Sequence, residues 1–361
     1  MLVGKGAPER GGIPSFLDTL LQSNLAETHE LSFLNLAHGG TPQGGKLTVS
    51  NLMWMARDAL AVRRAATAQD IVHIHSALSP TVTVLRAAIL AAAARTRGCA
   101  VVVHAHGGSV ESWLSNRRRR YLMRVAMAPV RRVVVVWAAG EAALTGVLRA
   151  GRVRLIDNGV SLERHRVPHP AHDIPRVLFV GLLTARKGVL DLVRASQLLL
   201  ERGVQHELWL LGGTPDEGPA AEHEVRAAVQ GKARLLGTFA PQDMPAAYAE
   251  ADVFCLPSWW EAMPLSVLEA MASALPVVAT DVGDVSRLVE DGRTGFVVPA
   301  QSPEALASAL DKVLSDPEAA SQLGAAGRTR VERHFSSAAT VREVARLYAE
   351  LAPVPRSPVQ R

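Results

Sequence analysis

Two carboxylates, Glu261 and Glu269, stand in the segment Pro257–Val278, PSWWEAMPLSVLEAMASALPVV. The apolar run before it, Val253–Leu256 (VFCL), reads as a strand. Pro264 suits the first turn of a helix, because its missing N–H would be unpaired there anyway. That helix is expected to run to about Ser273. Glu261 then lies on the loop leaving the strand, and Glu269 on the second helical turn. The free N–H groups from Ala262 to Leu265 face the same crevice, among them those of Met263, and helix N-termini bind phosphate. In open α/β sheets the ligand crevice lies outside the carboxyl ends of the strands. The pattern suits an anion that carries sugars: N–H groups for phosphate, carboxylates for hydroxyls. It equally fits an ordinary buried strand–loop–helix unit.

Other residues bear on that choice. VLFVGLLTARKGVLDLV holds a strand, a turn ending in Lys187–Gly188, and a helix. A lysine there can neutralise a diphosphate as a point charge, or it is a solvated turn lysine. Gly11–Gly12 precedes a helix at Pro14 or Ser15, where glycine lets a phosphate approach the backbone, or simply makes a turn. His73, His75, His104 and His106 all end apolar strands. His104 alternates with Val103 and reads as packed. His106 lies further out, beside Gly107–Gly108. His165, His169 and His172 could hold a metal, but their spacings are irregular and the segment looks exposed, so no site is expected. Gly4-x-Gly6 lacks the third glycine of a dinucleotide fingerprint, and no P-loop or Gly-x-Ser-x-Gly elbow is present.

The elements that must position these groups alternate. Strand candidates are Asp70–His75, Ala100–His104, Arg132–Trp137 and Arg154–Asp157, then Arg176–Gly181, Glu207–Gly212, Ala233–Leu236, Val253–Leu256 and Pro276–Thr280; Met1–Gly4 looks like the tail of another. They are continuously apolar, as parallel strands buried on both faces are. Helical stretches such as Ser15–Asn24, Val189–Arg202 and Pro303–Ser315 lie between, so the fold class is α/β with doubly wound sheets. Ser161–Arg176 is rich in Pro and His without a hydrophobic period and reads as an exposed linker. The expected layout is a first domain over 1–163, a linker over 164–175 and a second domain over 176–335.

The length of 361 residues suits two domains, and 48% hydrophobic residues suffice for real cores. The net charge of +5 hides an asymmetry. Residues 1–170 carry 21 Lys/Arg against 10 Asp/Glu, and residues 171–361 carry 18 against 24. Such halves are expected to have different partners. Two cysteines, Cys99 and Cys255, are too few for a disulfide framework and point to a reducing compartment. The segment MLVGKGAPERGG lacks the apolar core of a signal peptide. No apolar run is long enough to span a membrane; the best, Val82–Ala94, contains Arg86.

Asn116–Arg132 reads NRRRRYLMRVAMAPVRR and is expected to be helical to Ala128. Arg117, Arg118, Arg119, Arg120 and Arg124, with apolar neighbours, suit an anionic membrane surface. No nucleic-acid motif accompanies them, so nucleic acid is not an expected partner. A solvated helix face is the plain alternative.

These motifs together resemble the GT-B glycosyltransferases of family 4, retaining enzymes that use nucleotide sugars. The resemblance covers nearly the whole chain. It rests on the Glu-x7-Glu pair at Glu261 and Glu269, the Lys187–Gly188 turn, Pro276–Val278 after the helix, DNGVSL at Asp157–Leu162, and GRTGFVVP at Gly292–Pro299. It implies two Rossmann-like domains facing a cleft, with a C-terminal helix (about Ala339–Leu351) crossing back to the first. Glu261 would contact the donor sugar near its reacting face. Main-chain N–H groups from Ala262 to Leu265, across Met263 and Pro264, would meet sugar and diphosphate. Glu269 would hold the ribose hydroxyls, and Lys187 would stabilise the departing diphosphate. Gly12 would approach that diphosphate from the first domain, and His106 matches the family's active-site histidine.

The resemblance further implies a UDP- or GDP-sugar donor, a glycan or lipid-linked acceptor, and no cofactor or essential metal. It implies a role in bacterial-type cell-surface polysaccharide or glycolipid synthesis, in the cytoplasm or peripherally on the inner face of the cytoplasmic membrane. One departure matters most. After Gly181, which ends the strand before Lys187, the family usually has Arg; here Leu182 follows, unless Arg186 substitutes. Losing one charged contact to a buried anion commonly costs about 2–5 kcal/mol. Two rival readings remain: a partner protein that keeps the fold without turnover, and a sugar-nucleotide 2-epimerase, against which the Glu-x7-Glu helix argues.

Overall fold

The computed structural model describes residues 1–9, 11–38, 48–67, 71–107, 109–167, 169–170, 172–213 and 219–351. Asp70, Gly108 and Arg356–Arg361 lie outside them. The chain forms two compact units. One comprises Met1–Asp157 with the segment from Thr340 onward, and the other Asn158–Ala339.

The sheet of the first unit contains β1 (Leu2–Gly4), β2 (Phe33–Asn35), β3 (Ile71–Ser76), β4 (Ala100–Ala105), β5 (Arg132–Val135) and β6 (Val153–Leu155), in the order β2-β1-β3-β4-β5-β6. That of the second contains β7 (Arg176–Val180), β8 (Glu207–Leu211), β9 (Arg234–Gly237), β10 (Val253–Leu256), β11 (Val277–Thr280) and β12 (Gly295–Val298), in the order β12-β11-β10-β7-β8-β9. Every pairing is parallel. Helices cover the faces, so Val101–Val103, Val133–Val135, Phe254–Leu256 and Val277–Ala279 are fully buried. This is the expected α/β class. Strand order reverses beside β7, which lies between β10 and β8, so the loops leaving β7 and β10 open at a switch point.

One face of the first sheet packs against the helices Gly12–Leu21 and Ser337–Leu351. Val102, Val134 and Leu2 meet Phe16, Leu17 and Leu20 from the first helix, and Val341, Val344, Leu347, Tyr348 and Leu351 from the last. The three- and four-residue spacing of that last set is one helical stripe. Thr340 Oγ1 donates to Asp157 O at 2.9 Å, and Arg154 reaches Glu343 (2.9 Å) and Glu350 (2.6 Å) on the same helix.

Several expectations need correction. Phe33–Asn35 and Gly295–Val298 are strands, the first too short and the second too turn-like in sequence to stand out. The first helix starts at Gly12, with Gly11 as its cap, and ends at Leu21. The basic helix spans Arg117–Ala126 and stops short of Ala128. The segment before β7 is exposed at Glu163, Arg164, Arg166, Val167, Asp173 and Ile174, but it is not a free linker. The crossing falls at Asp157/Asn158, and the following residues pack on the second unit. His165 is buried with Nδ1 2.8 Å from Ser273 Oγ, His169 Nε2 is 2.5 Å from Ser273 O, and His172 Nδ1 is 3.1 Å from Asp252 Oδ2. Polar side chains that find hydroxyl, carbonyl and carboxylate partners hold this segment down without any hydrophobic period. No described helix is long and apolar enough to cross a membrane.

Candidate active site

The loops leaving β7 and β10 lock together. After β7, Gly181 N donates to Leu211 O at 3.0 Å, and Ala185–Lys187 form a 3-10 turn capped by Thr184. Gly188 follows at φ +68°. A Cβ on Gly188 would sit 1.9 Å from Pro257 O, so only glycine permits both the left-handed turn and the approach to the β10 loop. Trp259 N donates to Arg186 O at 2.8 Å, and Arg186 Nη1 returns a bond to Trp260 O at 3.2 Å. Arg186 is therefore engaged with the loop backbone, while Leu182 is half-buried and uncharged.

This clamp delivers Lys187 to Glu261. Lys187 Nζ lies 2.5 Å from Glu261 Oε1, and Ser258 Oγ donates to the same oxygen at 2.7 Å. Glu261 is only 7% exposed, so its charge needs that paired cation. From the other side Thr280 Oγ1 donates to Ser258 O at 2.5 Å, and Asp284 N donates to Ala262 O at 2.8 Å. Gly283 stands at φ +55°, where a Cβ would meet Glu261 O at 2.2 Å. The carboxylate thus sits on a loop held by both neighbouring strand exits.

The helix after this loop spans Leu265–Ala272. Pro264 is its N-cap, at ψ 119°, rather than part of the first turn as its type suggests. Pro264 offers no N–H, so the helical donors begin at Leu265, and no side chain caps them. Asn158 Nδ2 steadies the preceding residue by donating to Met263 O at 2.8 Å. On the second turn, Glu269 Oε2 accepts from Tyr248 OH at 2.7 Å. Burial raises the Glu269 carboxyl above its ordinary range, and the Tyr248 bond and the Arg164 charge pull it back.

In the first unit, Gly12 opens its helix behind Gly11 at φ +126°, with no side-chain cap. Neither glycine has any atom within 4 Å of where a Cβ would stand, so that helix end is open backbone. His106 is half-buried just past β4, with its N–H bonded to Ser76 O at 3.0 Å. Its Nε2 is 2.9 Å from His75 Nδ1, and Phe16 meets its ring edge-on at 4.7 Å. Desolvation pushes its pKa down to about 3, so it is a neutral hydrogen-bonding group near pH 7. His104 is fully buried, as its alternation with Val103 suggests.

On the basic helix, Arg117, Arg118 and Arg119 are exposed, with exposed Tyr121 and Val125 beside them. Arg120 and Arg124 are exposed too, but they bond to Gly146 O (3.2 Å) and Val147 O (2.9 Å), while Arg119 lies over the Trp113 ring at 5.7 Å. The structure brings Lys187 and Glu261 into contact and pairs Glu269 with Tyr248. Sequence reasoning gave no role to Ser258, Thr280 or Tyr248. Ser258, as a hydroxyl at a strand exit three residues before Glu261, carried the one faint signal.

Residues 174–316 match the family described as glycosyl transferases group 1, and residues 11–164 match glycosyltransferase family 4. Solved GT-B structures superpose along almost the full chain. A sucrose-phosphate synthase from Thermosynechococcus elongatus does so with a TM-score of 0.77 at 23% identity, covering 97% of this chain and 98% of that one. The chain belongs to the GT-B glycosyltransferases of family 4. Another chain of this fold, HepE from Anabaena in complex with UDP-glucose, has a TM-score of 0.77 at 16% identity, over 97% of this chain and 99% of that one. A D-inositol 3-phosphate glycosyltransferase of Corynebacterium efficiens is 34% identical over 200 residues, 54% of this chain and 47% of the relative. An alpha-D-kanosaminyltransferase of Streptomyces kanamyceticus is 30% identical over 188 residues, 52% and 46% of the two chains. This GT-B chain spans about half the length of these curated relatives.

Proposed function

We propose that this GT-B protein is a retaining glycosyltransferase that moves a hexosyl group from a UDP- or GDP-sugar to a glycan or lipid-linked acceptor. The observation that carries the reading is the Lys187–Glu261–Ser258 cluster at the head of the Leu265–Ala272 helix. A buried carboxylate beside a cation and uncapped helical N–H groups suits a sugar joined to a diphosphate. The HepE structure solved with UDP-glucose, a protein of the same fold, supports a nucleotide-sugar donor.

In this reading Lys187 leaves Glu261 for the diphosphate, and the freed carboxylate accepts sugar hydroxyls. Glu269, held by Tyr248, accepts the ribose hydroxyls. The acceptor oxygen attacks the anomeric carbon on the face the diphosphate leaves. The bond to the diphosphate oxygen breaks, the glycosidic bond forms, and the acceptor proton passes to the departing diphosphate. Lys187 and the helix N-terminus stabilise the negative charge, so no metal is required at the diphosphate. The exposed Arg117–Arg119 face would hold the protein on the anionic inner surface of the cytoplasmic membrane, in cell-surface polysaccharide or glycolipid synthesis.

Leu182 favours one rival, a partner protein of this fold without turnover. A thermal-shift panel of UDP, GDP, ADP and their sugars separates the two, since a ligand bound to the folded state raises apparent stability. A shift with one nucleotide sugar, followed by transfer with retained anomeric configuration, is expected. Glu261→Gln should lower that transfer about 100-fold. No shift with any ligand favours the rival.

A further inference from the structure

Four imidazoles crowd one face of the first sheet. His73 and His75 alternate along β3, and His104 on β4 is the register partner of His75, so the period of two sends all three to the same side. Their ring centroids are 4.3 Å (His73–His75), 5.2 Å (His73–His104) and 5.3 Å (His75–His104) apart. One nitrogen from each lies within 4.8 Å of the others. All three are buried, His73 and His104 completely.

Their hydrogen bonds are half made. His73 Nδ1 is 2.7 Å from the Tyr348 hydroxyl, and His75 Nδ1 is 2.9 Å from His106 Nε2. His73 Nε2, His75 Nε2 and both nitrogens of His104 are buried without a partner among the described residues. Such orphan groups are costly, and one sheet face holding four of them requires a physical reason. Two rings anchored through Nδ1, with Nε2 left bare, repeat the arrangement of metal-binding histidines whose second nitrogen is bonded away from the ion.

We propose that His73, His75 and His104 form a three-imidazole site for a divalent transition-metal ion of the zinc class. Zinc binds imidazole nitrogen at about 2.0–2.1 Å, so tetrahedral ligand atoms stand roughly 3.4 Å apart. Inward rotation of the rings about their soft χ2 torsions closes the remaining distance. Phe16 meets the His104 ring edge-on at 4.6 Å and shields it from water. An ion here sharpens the His75 Nδ1–H as a donor and so fixes the ring of His106. The site lies wholly in the first unit and stands whether or not the proposed transfer reaction does.

The test is cobalt titration of the full chain, without a histidine tag, after chelator treatment. One equivalent of Co(II) per chain is expected, with visible absorption of tetrahedral intensity that Zn(II) displaces. Paramagnetically shifted imidazole proton signals should count three histidines. His104→Phe keeps the volume and should bind roughly 100-fold more weakly or worse. His172→Gln, in the other unit, should bind as the parent does. If His104→Phe does not fold, His73→Gln takes its place and the titration of the parent protein still decides. A folded parent that takes up no stoichiometric Co(II) or Zn(II), or undiminished binding in either ring variant, overturns the site.

Discussion

Lys187 Nζ and Glu261 Oε1 lie 2.5 Å apart although 74 residues separate them in sequence. The contact exists because β7 and β10 are neighbours and their exit loops are pressed together at Gly188. Removing only the lysine strands a buried carboxylate that retains just the Ser258 hydroxyl bond. Lys187→Met should therefore destabilise by about 3 kcal/mol in urea unfolding. Adding Glu261→Gln removes the uncompensated charge and should restore at least half of that loss. Additive losses in the double variant would show that the pair is not coupled.

Gly188 and Gly203 both adopt positive φ, +68° and +83°, but only Gly188 has atoms where a Cβ would go. Gly203→Ala should cost about 1 kcal/mol, the left-handed backbone penalty alone. Gly188→Ala adds a collision with Pro257 O and should cost about 3 kcal/mol or more. It should also weaken nucleotide-sugar binding in thermal shift, because the turn that carries Lys187 must move.

His165 ties the residues before β7 to the Leu265–Ala272 helix, and it makes this unit sensitive to acid. Ser273 Oγ already donates to Glu269 O, so His165 Nδ1–H donates to Ser273. Desolvation, with Arg164 and Arg328 nearby, holds its pKa down to about 4. The unfolded chain takes up this proton near pH 6.5, while the folded chain refuses it until about pH 4. The group's contribution is therefore complete above pH 6.5 and falls as pH drops, by about 1.4 kcal/mol per pH unit. His165→Asn keeps a donor but removes the titration. Urea midpoints should fall less steeply with acidity in that variant than in the parent.

On the basic helix the arginines divide into two kinds. Arg117, Arg118 and Arg119 are exposed, and each should contribute about 1 kcal/mol on an anionic surface. Replacing all three by Gln should cut co-sedimentation with phosphatidylserine vesicles about 100-fold, with only the Arg119 contact over Trp113 lost from the fold. Arg124→Gln should do the reverse, lowering stability through the lost bond to Val147 O. Equal binding to neutral and anionic vesicles would remove the membrane assignment.

Continuous apolar runs made most strands and both sheets legible, because a parallel strand buried on both faces has no polar side to hide. The Glu261 and Lys187 loops could be found for the same reason, each following such a run. Their mutual contact could not, since it depends on which strands become neighbours. Tyr248 and Ser258 went unnoticed because a hydroxyl partner has no characteristic spacing. Ser161–Arg176 reads as solvated linker because its anchors are the imidazoles of His165, His169 and His172, with Leu162 its one buried apolar residue among those described. The four strand-end histidines were visible one by one, but their convergence needs the register that sets His75 against His104.

The helix Ser337–Leu351 closes a core whose other half was synthesised hundreds of residues earlier. Asn158–Ala339 is continuous and can finish folding as it leaves the ribosome. The opening unit cannot: Val102, Val134 and Phe16 wait for Val344 and Leu347, and His73 waits for the Tyr348 hydroxyl. Of the two units, the one whose residues are made earlier is thus the later to mature. Until Val344 and Leu347 have been made, that sheet face lacks its apolar cover.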